Sequence, residues 1–176
     1  MTRTAWTGAR HRIFVGQDQH KFSVAHMTVF PDGSKEKLHG HNFNVSVALD
    51  LVSVGFDTLL DLGIVKKAVD AQCREWNEHL LLGAKNPRLE LVRAQAGDDE
   101  VEFRLCGKRY VLPAEDIVLL PVDNVVVENL AVEFARRIVE RLGPMLRPGV
   151  VSGIQVDVCE ARGQGGSYYL ELSTDA

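Results

Sequence analysis

The sequence predicts an α+β domain, with an antiparallel sheet of four strands and two helices on one face. Three observations carry this reading. Apolar side chains alternate through Phe22-Ser23-Val24-Ala25-His26, and again through Phe43, Val45, Val47 and Leu49, as in strands with one buried face. Apolar residues then recur at intervals of three and four over two later stretches, which is the helical period. Alternation returns near the end, where Ile154, Val156 and Val158 fall on one face and Gln155 and Asp157 on the other. The resulting order is two strands, helix, helix, two strands. A chain of 176 residues suffices for one such domain.

Residues 1–10 are polar and patternless, a loose lead-in. From about Arg12 to His26 the text suits a strand, interrupted by Gln17-Asp18-Gln19-His20. Pro31-Asp32-Gly33-Ser34 is a turn cluster that returns the chain into a strand running from His39 to about Val54. After a break at Gly55-Phe56-Asp57-Thr58, Asp61 stands where a helix N-cap would. Ile64, Val65, Ala68, Val69, Cys73 and Trp76 follow at helical spacing, and the helix ends near residues 76–82. In the stretch 84–121, Asp98-Asp99-Glu100 reads as a solvated turn. Val101–Leu105 and Arg109–Leu112 flank Cys106-Gly107-Lys108 as a small hairpin. Val125 to Leu142 is the second amphipathic helix, closed by Gly143-Pro144. Gly153 to Glu160 is a strand, Arg162 to Ser167 a Gly-rich turn, and Tyr168 to Leu172 the last strand. That turn joins strand to strand and opens no helix, so it is not a phosphate fingerprint.

The chemistry concentrates at Glu36-Lys37-Leu38-His39-Gly40-His41. In a strand, residues two apart project from the same face, so His39 and His41 point together. His26 ends the preceding strand at matching parity. If the two strands pair, three imidazoles converge, the donor set of a catalytic zinc with one open position. The spacing alone equally allows hydrogen-bonded histidines at strand ends. His11 and His20 lie outside this constellation and read as surface residues.

Composition narrows the function classes. A net charge of −4 without a basic block argues against nucleic acid as a partner. No apolar run approaches membrane-spanning length, and the N-terminus lacks the apolar core of a signal peptide. Cys73, Cys106 and Cys159 are odd in number and widely spread, which argues against a disulfide framework and for a cytoplasmic protein.

Phe22-Ser23-Val24-Ala25-His26 followed by Leu38-His39-Gly40-His41-Asn42-Phe43 resembles the 6-pyruvoyl tetrahydropterin synthase family, which includes the 6-carboxytetrahydropterin synthases. The likeness runs over most of the chain. It implies the tunnelling fold, assembled into homo-oligomers (hexamers in the family) with sites between subunits. It also implies zinc held by His26, His39 and His41, and 7,8-dihydroneopterin triphosphate as substrate. Against that family, residues 84–121 read as an insertion; its composition leaves open whether it lids the site, extends an interface or does neither.

The resemblance also assigns roles. Glu78-His79 matches the family's Asp-His pair, making His79 a proton-transfer group with Glu78 beside it. Glu160 matches the late-strand glutamate that pairs with the edge of the pterin ring. Glu128, in Glu128-Asn129-Leu130, is a second substrate-binding candidate, although Val125, Val126 and Val127 replace a hydroxyl-bearing element there. Lys35 and Lys37 stand close enough in sequence to meet a triphosphate. The family's catalytic cysteine before the HGH motif is absent, since residues 31–38 contain none. Glu36, three before His39, instead resembles the type III synthases, in which glutamate replaces cysteine and the side chain is cleaved to 6-hydroxymethyl-7,8-dihydropterin. Two other readings stand beside this one: a 6-pyruvoyl- or 6-carboxytetrahydropterin synthase, and a non-catalytic zinc- and pterin-binding homologue. A cupin reading of the histidine pair lacks the carboxylate and second-motif histidine in the usual order.

Overall fold

The computed structural model describes residues 11–93, 97, 99–147 and 149–172. The expected lead-in, residues 1–10, lies outside these, as does Asp98 of the expected acidic turn. The architecture is α+β, with one large sheet, one small sheet and two helices.

The large sheet is built on a long central strand. Strand β1 (His11–Val15) and strand β2 (Lys21–His26) both pair antiparallel with strand β3 (His39–Leu51). The polar interruption at Gln17–His20 is the turn that separates β1 from β2. His20 is buried there, not exposed as its sequence context suggested. Its Nδ1 accepts the Gln17 backbone N–H at 3.2 Å, and its carbonyl accepts the Val45 N–H at 2.8 Å. Burial lowers the pKa of His20. His11 is exposed, as expected.

Helix α1 (Leu62–Trp76) starts at its Asp61 cap, whose side chain accepts the Gly63 N–H at 2.7 Å. Val65, Val69, Cys73 and Trp76 form its buried stripe. Glu78 takes a positive φ of 63° and turns the chain back into the sheet. There strand β4 (His79–Gly83) runs parallel to β2.

The described residues of 84–121 supply four strands. Strand β5 (Leu89–Arg93), strand β6 (Glu100–Leu105) and strand β7 (Lys108–Pro113) form the small antiparallel sheet, which contains the expected hairpin. Strand β8 (Ile117–Leu120) joins the large sheet, parallel to β4. Helix α2 (Val127–Leu142) follows, then strand β9 (Val151–Ala161) and strand β10 (Gln164–Glu171).

The large sheet therefore has seven strands and mixed direction, where four antiparallel strands were expected. The difference lies in Leu80-Leu81-Leu82 and Ile117-Val118-Leu119-Leu120. Leu80 and Leu82 pack into the cluster under the small sheet, while Leu81 and Leu120 face the helices. A strand covered on both faces shows no alternation, so nothing in these runs announces a strand. The Gly-rich turn is also shorter than expected, since Gly165 and Gly166 already belong to β10.

The main core lies between the large sheet and both helices. Phe22 stacks on Phe43 at 5.3 Å and meets Trp76 edge-on at 5.3 Å, with Phe134 of α2 against Trp76. Each such ring removes a large apolar surface from water, at roughly 25 cal/mol per Å². The histidine-bearing ends of β2 and β3 continue the same face beyond this aromatic cluster, as their parity dictates.

Candidate metal and substrate site

β2 and β3 pair in register His26↔His39, Val24↔His41 and Phe22↔Phe43. The side chains expected to share a face therefore do so at the strand ends. The ring centroids of His26, His39 and His41 lie 4.6 to 5.2 Å apart, and one nitrogen from each falls within 4.8 Å of the others. Gly40 lets the strands close up, because a Cβ there would stand 3.3 Å from the Val24 carbonyl.

Backbone carbonyls set two of the rings. His26 Nδ1 lies 2.9 Å from Val125 O, and His39 Nδ1 lies 2.8 Å from Lys37 O. An Nδ1–H donated to a carbonyl leaves Nε2 with its lone pair, the form that ligates metal. His26 Nε2 is buried and has no hydrogen-bond partner among the described residues. A buried, unpaired imidazole nitrogen facing two more imidazoles fits a metal ion better than a vacant interior. Three imidazole nitrogen donors suit zinc. Burial, chiefly, holds the His26 pKa below its ordinary value, which favours the neutral ligand form.

Two carboxylates border the trio. Glu36 Oε2 lies 3.8 Å from His39 Nε2 and accepts the Thr28 N–H at 3.3 Å, while the Glu36 N–H donates to Thr28 O at 3.0 Å. Hydrogen bonding to Thr28 keeps the Glu36 carboxyl below its usual pKa despite partial burial. Glu160 continues the Ile154, Val156, Val158 row of β9 to its end, where Oε1 lies 3.5 Å from His41 Nε2.

Of the other expected residues, Glu78 and His79 line an open cleft of 540 Å³ with Ser23, Ala25, Asn42 and Asp116, and His41 of the trio borders the same cleft. His79 Nδ1 is set by the Asn77 carbonyl at 2.7 Å. Glu128 is exposed in the first turn of α2. Lys35 is turned away from the trio: its Nζ donates to Glu36 O at 2.9 Å and sits 5.4 Å from the centre of the Tyr110 ring.

Asn124 escaped the sequence reading. Its side chain accepts the Val29 N–H at 3.1 Å and donates to Val29 O at 2.8 Å, acting as a short piece of partner strand beside Thr28. Asn129 holds Asn124 in turn, donating to its carbonyl at 3.0 Å. An asparagine in a loop carries no periodicity that would single it out.

Residues 17–171 match the family model described as 6-pyruvoyl tetrahydropterin synthase. A protein of Methanocaldococcus jannaschii named "Putative 6-carboxy-5,6,7,8-tetrahydropterin synthase" is 35% identical over 155 residues, covering 86% of this chain and 92% of that protein. The crystal structure of 6-pyruvoyl tetrahydropterin synthase from Plasmodium vivax superposes with a TM-score of 0.83 at 24% identity, covering 93% of this chain and 99% of that one. The Plasmodium falciparum structure gives 0.83 at 21% identity, covering 94% and 100%. A further Plasmodium vivax structure is described as a catalytic residue mutant, with alanine in place of a glutamate. The fold is that of these synthases, and the extent of the match leaves one conclusion: this chain belongs to the 6-pyruvoyl tetrahydropterin synthase family.

Proposed function

We propose that this protein is a zinc-dependent lyase acting on 7,8-dihydroneopterin triphosphate, of the type III kind, and that it releases 6-hydroxymethyl-7,8-dihydropterin. The observation that carries the reading is the Glu36 carboxylate, fixed by Thr28 and standing 3.8 Å from His39 Nε2 where a cysteine would serve in other members. The Plasmodium vivax variant described as a catalytic glutamate mutant supports it.

His26, His39 and His41 would hold the zinc, which supplies Lewis acidity toward the hydroxyls of a bound substrate. Glu36, ionised at neutral pH, takes the proton from the second side-chain hydroxyl. That carbon becomes an aldehyde as its bond to the first side-chain carbon breaks. The electron pair passes to the first carbon and the conjugated ring imine, and a proton returned to that carbon completes the product. Glu160 receives the donor edge of the pterin ring in a bidentate pair. Glu128 is a second candidate contact. His79, with Glu78 beside it, supplies the returning proton. Within one chain His79 and Glu78 share their cleft with His41, and the reading includes a homo-oligomer with its sites between subunits.

The 6-carboxy reading is favoured by the name of the Methanocaldococcus jannaschii relative. Against it stands the chemistry of the cysteines. Cys73 is buried in the α1 stripe, where burial pushes its thiol up to about 12. Cys106 sits in the β6–β7 turn, and Cys159 has the opposite parity from Glu160 on β9.

Incubation of zinc-loaded protein with 7,8-dihydroneopterin triphosphate, followed by oxidation and chromatography of the pterins, tests the proposal. 6-Hydroxymethylpterin that disappears in Glu36→Ala is the expected result. A pyruvoyl or carboxy product would replace type III by the second reading. Zinc bound with no product would make the protein a binding homologue.

A further inference from the structure

The small sheet of β5, β6 and β7 touches the strand-to-strand loop that carries Glu36 through Tyr110, and Arg88, just before β5, approaches the tip of the same loop. Tyr110 on β7 stacks on the buried ring of Phe103, centroids 5.0 Å apart and planes 12° from parallel, which fixes the direction of its face. The Lys35 ammonium lies 5.4 Å from the centre of the Tyr110 ring. The same ammonium reaches Met27 Sδ at 3.3 Å and donates to the Glu36 carbonyl at 2.9 Å. At the tip of the loop, Gly33 has a φ of 86°, and the Arg88 guanidinium carbon stands 3.3 Å from where a Cβ would be.

We propose that the small sheet is a positioning device for Glu36, acting through the Lys35–Tyr110 contact; this rests on the reading of Glu36 as the proton acceptor. Lys35 is the link. A half-buried ammonium has few acceptors to choose from, and here the aromatic face and the Glu36 carbonyl hold it from two sides. Glu36 is then held at three atoms: its carbonyl by Lys35, its N–H by Thr28 O, and its carboxylate by Thr28 N–H. Val101, Phe103 and Leu105 bury the small sheet against Leu80, Leu82 and Met27, and Tyr110 packs at the edge of that cluster. The contact to the loop is additional to that core. Tyr110 and Lys35 touch no reacting atom, so both are positioning residues.

The test compares Tyr110→Leu, Tyr110→Phe and Lys35→Met in the full-length, zinc-loaded protein. Two readouts are taken: amide hydrogen exchange at Glu36, and steady-state kinetics with 7,8-dihydroneopterin triphosphate. Tyr110→Leu and Lys35→Met are expected to speed Glu36 amide exchange about fivefold, the scale of one lost cation–π contact. Both should lower kcat about tenfold with KM little changed, because a misplaced base costs turnover before binding. Tyr110→Phe keeps the ring and should match wild type in both readouts. In a Glu36→Ala background, Tyr110→Leu should lower residual turnover no further. Wild-type exchange in both disruptive variants overturns the proposal, as does faster exchange with unchanged kcat. Exchange does not depend on turnover, so an inactive wild-type protein would sink the enzymatic reading by itself. Should Tyr110→Leu fail to fold, Lys35→Met in the exposed loop carries the same comparison.

Discussion

Glu36 Oε2 lies 3.8 Å from His39 Nε2, yet the two residues are held by different parts of the loop between β2 and β3: Thr28 grips the carboxylate, and Lys37 O sets the imidazole. A carboxylate placed this way can take a proton beside a metal without serving as a ligand. Glu36→Gln keeps the shape and the Thr28 hydrogen bond but cannot accept a proton. It is expected to lower kcat by about 10² to 10⁴ while bound zinc stays at the wild-type level. Metal analysis beside kinetics decides this, and loss of zinc in the variant would make Glu36 a ligand instead.

The orphaned Nε2 of His26 makes a second expectation. A group that binds the folded state alone stabilises it by mass action, about 2.7 kcal/mol when free metal is a hundred times its Kd. Chelation should therefore lower the melting temperature of the wild-type protein. His39→Ala should bind no stoichiometric zinc and should melt at the same temperature with or without chelator. Full zinc occupancy in that variant would remove the metal assignment.

The site was legible where one physical rule covered it. Strand parity alone put His26, His39 and His41 on one face, because alternation is a property of the backbone and holds whatever the tertiary context. The Asp61 cap and the apolar stripes of α1 and α2 followed from local rules in the same way. β4 and β8 did not, since burial on both faces erases the pattern that marks a strand. His20 was misread because the 17–20 turn is tied to β3 through the Val45 N–H to His20 carbonyl bond, a long-range contact with no local sign. The hold of Asn124 on Val29 and of Tyr110 on Lys35 spans 95 and 75 residues of sequence, and no spacing rule reaches that far.

Glu133 predicts a pH dependence of stability. Burial alone would raise its pKa, but hydrogen bonds from Arg136 and Arg137 outweigh that and hold it below the ordinary value. A folded pKa below the unfolded one contributes stability above the unfolded value, and that stability is lost as pH falls through the folded value. Glu133→Gln is therefore expected to cost roughly 1–3 kcal/mol at pH 7, and the difference from wild type should shrink below the usual carboxylate range. Urea unfolding at neutral and acidic pH measures it. A gap that stays constant with pH would mean that the ionised carboxylate contributes nothing.

Gly166 offers a test of coupling between the C-terminal strands and the metal site. A Cβ there would lie 2.9 Å from Val127 C and 3.0 Å from Glu128 N. Both are backbone atoms of the first turn of α2, which cannot swing aside as a side chain can. Just ahead of that turn, Val125 O takes His26 Nδ1 and Asn124 holds Val29. Gly166→Ala should thus move the start of the helix and, with it, the carbonyl that orients His26. The expected cost is about 1–3 kcal/mol in stability for the overpacking. A tenfold or greater loss of zinc affinity should accompany it, as when a ligand's hydrogen-bond partner is displaced. Gly55→Ala is the control, because its Cβ would meet only Thr58 Oγ1 at 3.8 Å and its φ of −169° is ordinary extended backbone. Competition with a chromophoric chelator reads the affinity. Destabilisation without an affinity change would show that Val125 O is not what keeps His26 in its ligating orientation.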